Sequence, residues 1–502
     1  MALALIGTVV TFDGEAPVLK DGAVYVDGGL IVGVRSAKDP APQGVGPVER
    51  IRTRGVIYPG LVDLHNHLAY NYRSLWFPPR TEPYTTRDQW PRAATYRAEI
   101  TLPTVALGTA AAKAVLKFAE AKAVVGGVTA IQGSPGLSRP YEGWLVRNIE
   151  HETFGTDKDV VYQSVLNLDT ESLAPHGKRM REGNAFIYHL AEGTDRKLVR
   201  EFDDLDEAGC LQPALLAIHS TALGPKEFKR WAKAKQAGAI VWSPFSNLFL
   251  YRGTTDVVAA REAGLLICLG ADWGPSGSKN VLGELKVADL WNRTHLDRAF
   301  SDRELCEMVT VNAGEALGRA WGKRIGRIKE GLAADLVVMA AGTPDPYRNM
   351  IESTERHVRL VLVAGKAVFG NGSLMKAAGA TSPEPISVAG VRRTISMMDP
   401  AIPDANMTWR QVLDALEHAR RDPARAFELA LTSLPRGEEP LRLIPDMPGG
   451  ELAEEIGSPR DLGPVVIPPI DTLAHDAAYL RSLRSDRSPI LGGLLEGLGE
   501  YY

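Results

Sequence analysis

Pro59-Gly60-Leu61-Val62-Asp63-Leu64-His65-Asn66-His67 is an apolar run that ends in two histidines separated by one residue. Side chains alternate faces along a strand, so His65 and His67 point the same way while Asn66 points elsewhere. Two imidazoles can then reach one cation. A bare His-x-His also occurs as a pair of ordinary histidines at a strand end, so the rest of the chain has to decide.

Three later strand ends each deliver another suitable group. His189 follows Phe186-Ile187-Tyr188, His219 follows Leu216-Ala217-Ile218, and Asp272 follows Ile267-Cys268-Leu269-Gly270-Ala271. Imidazole nitrogen and carboxylate oxygen suit one divalent ion, zinc (Zn2+) first and ferrous iron (Fe2+) second, with a position left open for water. Glu192 stands three residues beyond His189, near enough to lean into the same place without being a ligand. A carboxylate there is suited to moving protons. The other histidines, His151, His176, His295, His357, His418 and His475, lack this strand-end setting and are read as solvated or structural.

Around these residues, from 58 to 324, strand-like runs alternate with helical stretches, the pattern of a parallel α/β domain. The strands are Leu61 to Leu64, Val128 to Gln132, Val160 to Leu166, Phe186 to Tyr188, Leu215 to Ile218, Ala239 to Trp242 and Leu265 to Leu269. In a closed barrel of such strands the carboxyl ends share one mouth, which is where the polar residues fall. A doubly wound open sheet is the competing arrangement.

Residues 1–57 read as short strands with tight turns, and the same texture returns at 325–380, so the two ends are expected to share a sheet. Residues 381–502 form a C-terminal extension of unknown role. In it, Thr408-Trp409-Arg410-Gln411 opens a short amphipathic helix as a capping box, and Pro423 ends it.

Hydrophobic residues make up 45% of the 502 and charged residues 24%, the composition of a globular protein large enough for a substantial core. With 57 Lys and Arg against 61 Asp and Glu, and no dense basic stretch, nucleic acid is not an expected partner. No apolar run of about 18 residues is present to span a bilayer, so no membrane is expected either. Cys210, Cys268 and Cys306 lie far apart, which argues against a disulfide framework and fits a cytoplasmic protein. The expected partner is a small-molecule substrate, with a homodimer left open.

The sequence resembles the amidohydrolase superfamily, in the branch of guanine, methylthioadenosine and triazine hydrolases. The resemblance covers residues 1 to about 375 and rests on Pro-Gly-Leu-Val-Asp-Leu-His-x-His at 59–67 and His-x-Ala-Glu at 189–192. It also rests on isolated His219, Ser243-Pro244-x-Ser246-Asn247, Leu-Gly-x-Asp ending at Asp272, and Gly331-Leu-Ala-Ala-Asp-Leu-Val. It implies a (β/α)8-type TIM barrel, with one irregular strand, and a small composite β-sandwich. It also implies a single metal ion held by His65, His67, His189 and Asp272. Glu192 would then move protons, helped by Asp272, and His219 would polarise substrate or water. No lysine ends a candidate strand, which disfavours the two-metal arrangement bridged by a carboxylated lysine.

Two departures bear on the substrate. Only about twenty residues separate the Val160 to Leu166 strand from His189, where related deaminases carry a longer segment with a further strand, so one strand is expected to be displaced or missing. Trp273-Gly274-Pro275 after Asp272 looks more like imidazolonepropionase, which opens a ring amide. The expected reaction is hydrolysis of a non-peptide C–N bond in a small heterocycle, with cyclic-amide opening as the alternative and a catalytically silent scaffold as the reading from another class. Tyr72, Trp76, Ser243, Asn247 and Trp273 are the first candidates for substrate contact, with Tyr70, Phe77 and Ser246 beside them; loop packing is the competing role for the aromatics.

Overall fold

A computed structural model describes residues 2–14, 17–78, 80, 82–155, 160–233, 237–402, 406–433, 439–484 and 497–502. Eight short strands among them run in parallel pairings. Leu61–Asp63, Val128–Ile131 and Arg147–Asn148 form one sheet; Val161–Ser164, Ala185–Leu190, Leu215–His219, Ala239–Trp242 and Leu266–Leu269 form the next. Val128–Ile131, Leu215–His219 and Ala239–Trp242 are buried at every position, which is why they read as continuous apolar runs instead of alternating ones.

The two sheets meet at the His65-Asn66-His67 stretch itself. Asn66 bridges Asp272 in parallel, and the Asp272 amide donates to the His65 carbonyl at 2.8 Å. Gly270 permits this approach, because a Cβ there would sit 2.2 Å from the Cβ of His65. The buried Asp63 carboxylate ties the junction further by accepting from Ala271 N at 3.1 Å and from the Asn66 amide at 3.0 Å.

Seven of the strands are those read from the sequence. The eighth, Arg147–Asn148, lies before the Val161–Ser164 strand and pairs with Val128–Ile131. The interval before His189 instead holds the helix Thr170–Arg181, whose N-terminus is capped by Asp169 accepting from Ser172 N at 2.8 Å.

Strands from both flanks lie in a single nine-stranded sheet. From one edge its order is Glu384–Val388, Val391–Ile395, Lys366–Gly370, Val358–Val363, Leu336–Ala340, Glu49–Pro59, Leu3–Val10, Val18–Asp27 and Leu30–Ser36. Leu5, Val24, Ile57, Val338 and Leu360 meet in its apolar core. Two of these strands follow residue 380, so the sheet runs past the boundary drawn there from the sequence.

Further described segments of the extension pack on the parallel-stranded domain. Thr408 and Gln411 form the capping box of the helix Trp409–Arg421, and Pro423 opens a second helix, Pro423–Thr432. Trp409 stacks on Phe118, while Val412, Leu416 and Phe427 are buried in the shared core. Further on, Asp471 lies between the buried ammonium groups of Lys122 (2.8 Å) and Lys279 (2.6 Å). No single described helix is long and apolar enough to cross a membrane. The three cysteines are unpaired and buried.

Candidate metal centre

His65 Nε2 lies 3.2 Å from His67 Nε2 and 3.1 Å from His189 Nε2, and Asp272 Oδ1 is 3.3 Å from His65 Nε2 and 3.6 Å from His67 Nε2. All four side chains are buried. Atoms bound at about 2.0–2.1 Å to one tetrahedral ion stand about 3.3 Å apart, so these spacings are those of a ligand set around a shared centre. His65, His219 and Asp272 form a second, overlapping cluster of ligand atoms.

Burial and neighbouring charges set the protonation of the cluster. Burial, reinforced by the neighbouring imidazoles, pushes His65 and His189 well below the ordinary histidine value, which leaves their lone pairs unprotonated. Burial would also lower His67, but the carboxylates of Asp446 and Asp272 outweigh it and raise that ring to about 9. Asp272 is raised by burial, with the nearby His219 and His67 acting against it. Three histidines and an aspartate packed this closely, with no lysine or arginine among them, are a donor set that fits one divalent ion.

Three of the four imidazoles are oriented from behind. His65 Nδ1 meets Ser243 Oγ at 2.7 Å, His219 Nδ1 donates to Asn247 Oδ1 at 2.8 Å, and His67 Nδ1 donates to Asp446 Oδ2 at 2.8 Å. Fixing Nδ1 as the donor in His219 leaves its Nε2 facing Glu192, whose Oε2 is 3.7 Å away. Glu192 also accepts a 2.5 Å hydrogen bond from the Tyr251 hydroxyl, which in turn accepts from Trp90 Nε1 at 3.1 Å. Behind the loop, Arg87 donates to the His189 carbonyl and pairs with Glu201, which accepts from Ala191 N. Ala191, His219 and Asp272 all adopt left-handed backbone angles, with φ of 48°, 60° and 61°. Non-glycine residues are costly there, and such strain gathers where side chains must be aimed.

The candidate substrate contacts fall into three groups. Ser243 and Asn247 support ligand-cluster histidines. Tyr72 is packed in the core with its hydroxyl on Thr104, and Trp76 gives its indole N–H to Glu99. Trp273 donates to Ser276 and lies between the rings of Tyr70 and Trp90, both about 5 Å away by the centroid distances of 5.2 Å. Tyr251 and Asp446 were not anticipated. Tyr251 had a signal, since it stands four residues after Asn247 on the helix Pro244–Tyr251 and shares its face. Asp446 had none.

Residues 150–368 match the amidohydrolase family. The chain is 34% identical over 189 residues to a 5'-deoxyadenosine deaminase of Methanopyrus kandleri, a match covering 36% of this chain and 42%, under half, of that relative. A 5'-deoxyadenosine deaminase of Methanosarcina acetivorans is 25% identical over 408 residues, 72% of this chain and 91% of the relative. Among solved structures, an adenosine deaminase from Xanthomonas campestris with bound zinc superposes with a TM-score of 0.60 at 20% identity, covering 83% of this chain and 98% of that one.

Proposed function

We propose that this chain is an amidohydrolase-family enzyme that hydrolyses a non-peptide C–N bond of a small aminated N-heterocycle, with release of ammonia. The eight parallel strands are read as one (β/α)8-type barrel whose carboxyl ends form the active-site mouth. The observation that carries the reading is the convergence of His65, His67, His189 and Asp272 with Glu192 and His219 beside them. Adenosine-type nucleosides head the substrates to test, because two similar proteins are named 5'-deoxyadenosine deaminases.

His65, His67, His189 and Asp272 would hold one divalent ion, zinc first. When bound, such an ion acts as a Lewis acid and lowers the pKa of water from 15.7 toward about 7. Glu192 takes the proton from the attacking water and returns it to a ring nitrogen or to the departing amine, which needs a carboxylate that alternates between two protonation states. Tyr251 steadies that carboxylate by donating to Oε1, leaving Oε2 toward His219. His219, with Nδ1 committed to Asn247, turns its Nε2 toward the reaction centre, where it would polarise the attacking water or the substrate. Asp272 assists the proton transfer from its place between His65 and His67. The rings of Tyr70, Trp90 and Trp273 offer apolar walls suited to a flat substrate.

The test is a screen of zinc-loaded protein against aminated purines, their nucleosides and cyclic amides, reading ammonia and carboxylate separately. Ammonia release supports deamination. Carboxylate without ammonia supports the ring-opening alternative that the Trp273-Gly274-Pro275 stretch favours. Protein that takes up no stoichiometric metal would be a silent scaffold.

A further inference from the structure

His67 Nδ1 is held by a residue from outside the parallel-stranded domain. The segment around Leu443–Ile444 pairs antiparallel with Gly136–Leu137, in the loop that follows the strand Val128–Ile131. Ser138 fastens it from both sides, donating its hydroxyl to Pro440 O at 2.8 Å and accepting from Arg442 N at 2.8 Å. Leu443 is fully buried against Gly108. The chain then turns tightly at 445–450, where a Cβ on Gly450 would lie 1.8 Å from the Pro445 carbonyl oxygen. That turn delivers Asp446, with a side chain 8% exposed, to His67 at 2.8 Å.

We infer that Asp446 is a positioning residue of the metal centre, so that the C-terminal extension completes the active site. A carboxylate accepting from Nδ1–H fixes the imidazole tautomer with the Nε2 lone pair free, aims it, and makes it a stronger donor. Among the described residues, Asp446 is the only carboxylate hydrogen-bonded to a ligand imidazole at Nδ1; His65 leans on a serine hydroxyl. The Asp446 carboxylate serves no other visible purpose, since Oδ1 is buried without a protein partner.

The inference rests on the metal site proposed above, and the test separates the two. Full-length wild type, Asp446→Ala and Asp446→Asn are compared for zinc affinity by chelator competition and for the visible absorption of the cobalt(II)-substituted protein. Thermal melting and protease resistance of the extension are followed in parallel. Alanine should weaken zinc roughly 10–100-fold and alter the cobalt spectrum. Asparagine has the same size and can still accept from Nδ1–H, so it should recover part of the affinity; it also decides the matter if alanine does not fold. Wild-type affinity and an unchanged cobalt spectrum in both variants would overturn the role of Asp446 while leaving the metal site standing. A wild type that takes up no metal would overturn both.

Discussion

Glu192 touches Tyr251 and faces His219 but lies outside both overlapping groups of ligand atoms, His65 with His67 and His189, and His65 with His219 and Asp272, and this separation sets two opposite expectations. Glu192→Gln keeps the size and the hydrogen bond from Tyr251 but cannot accept a proton. Turnover should fall roughly 10²–10⁴-fold with metal content unchanged, as paired kinetics and elemental analysis will show. His65→Ala or Asp272→Ala should remove metal and activity together while far-ultraviolet circular dichroism stays near wild type, because these groups end strands and do not fill the layers beneath. Full metal occupancy in either would contradict the ligand set. The proposed ligands could be picked out because each follows an apolar strand, where one polar residue stands out against its neighbours. Asp446 was not, because it reaches His67 across 379 positions from the aperiodic stretch Pro445-Asp446-Met447-Pro448-Gly449-Gly450.

Seven strands could be read at the scale of elements because each is an apolar run of several residues, whereas Arg147–Asn148 spans only two and has no periodicity to detect. The same limit applies to the contacts of the extension, which come from isolated side chains. Asp471 is one of them. Burial alone would raise its carboxyl, but the ammonium groups of Lys122 and Lys279 bring it down from 3.8 to about 2. A carboxylate depressed in this way contributes about 2 kcal/mol of stability above pH 4, and the contribution disappears as pH falls from about 4 toward 2. Urea denaturation at pH 6, 4 and 3 should show that loss, and the slope should flatten in Asp471→Asn. Asp471→Ala at neutral pH leaves two buried ammonium groups without their counter-charge and should cost about 3–5 kcal/mol. A change under 1 kcal/mol would show that water reaches the pair.

For the whole molecule, the sequence pattern separated residues 381–502 from the rest, yet strands at 384–395 continue the nine-stranded sheet and later segments share the core with Phe118. A chain cut after residue 397 keeps that sheet but uncovers the apolar surface beneath Trp409, Val412, Leu416 and Phe427. It should bind a hydrophobic dye and melt at a lower temperature than the full chain; dye binding and melting equal to the full chain would make the extension dispensable for packing. The link between Asp446 and His67 also bears on biosynthesis. During translation His65 and His67 leave the ribosome hundreds of residues before the carboxylate that is hydrogen-bonded to one of them. Domains begin to fold as they emerge, so the early pair waits through most of synthesis with one imidazole unanchored. A chain ending between Asp272 and Asp446 would therefore carry all four proposed ligands and still lack the carboxylate on His67, so its site should hold metal more weakly than that of the finished polypeptide.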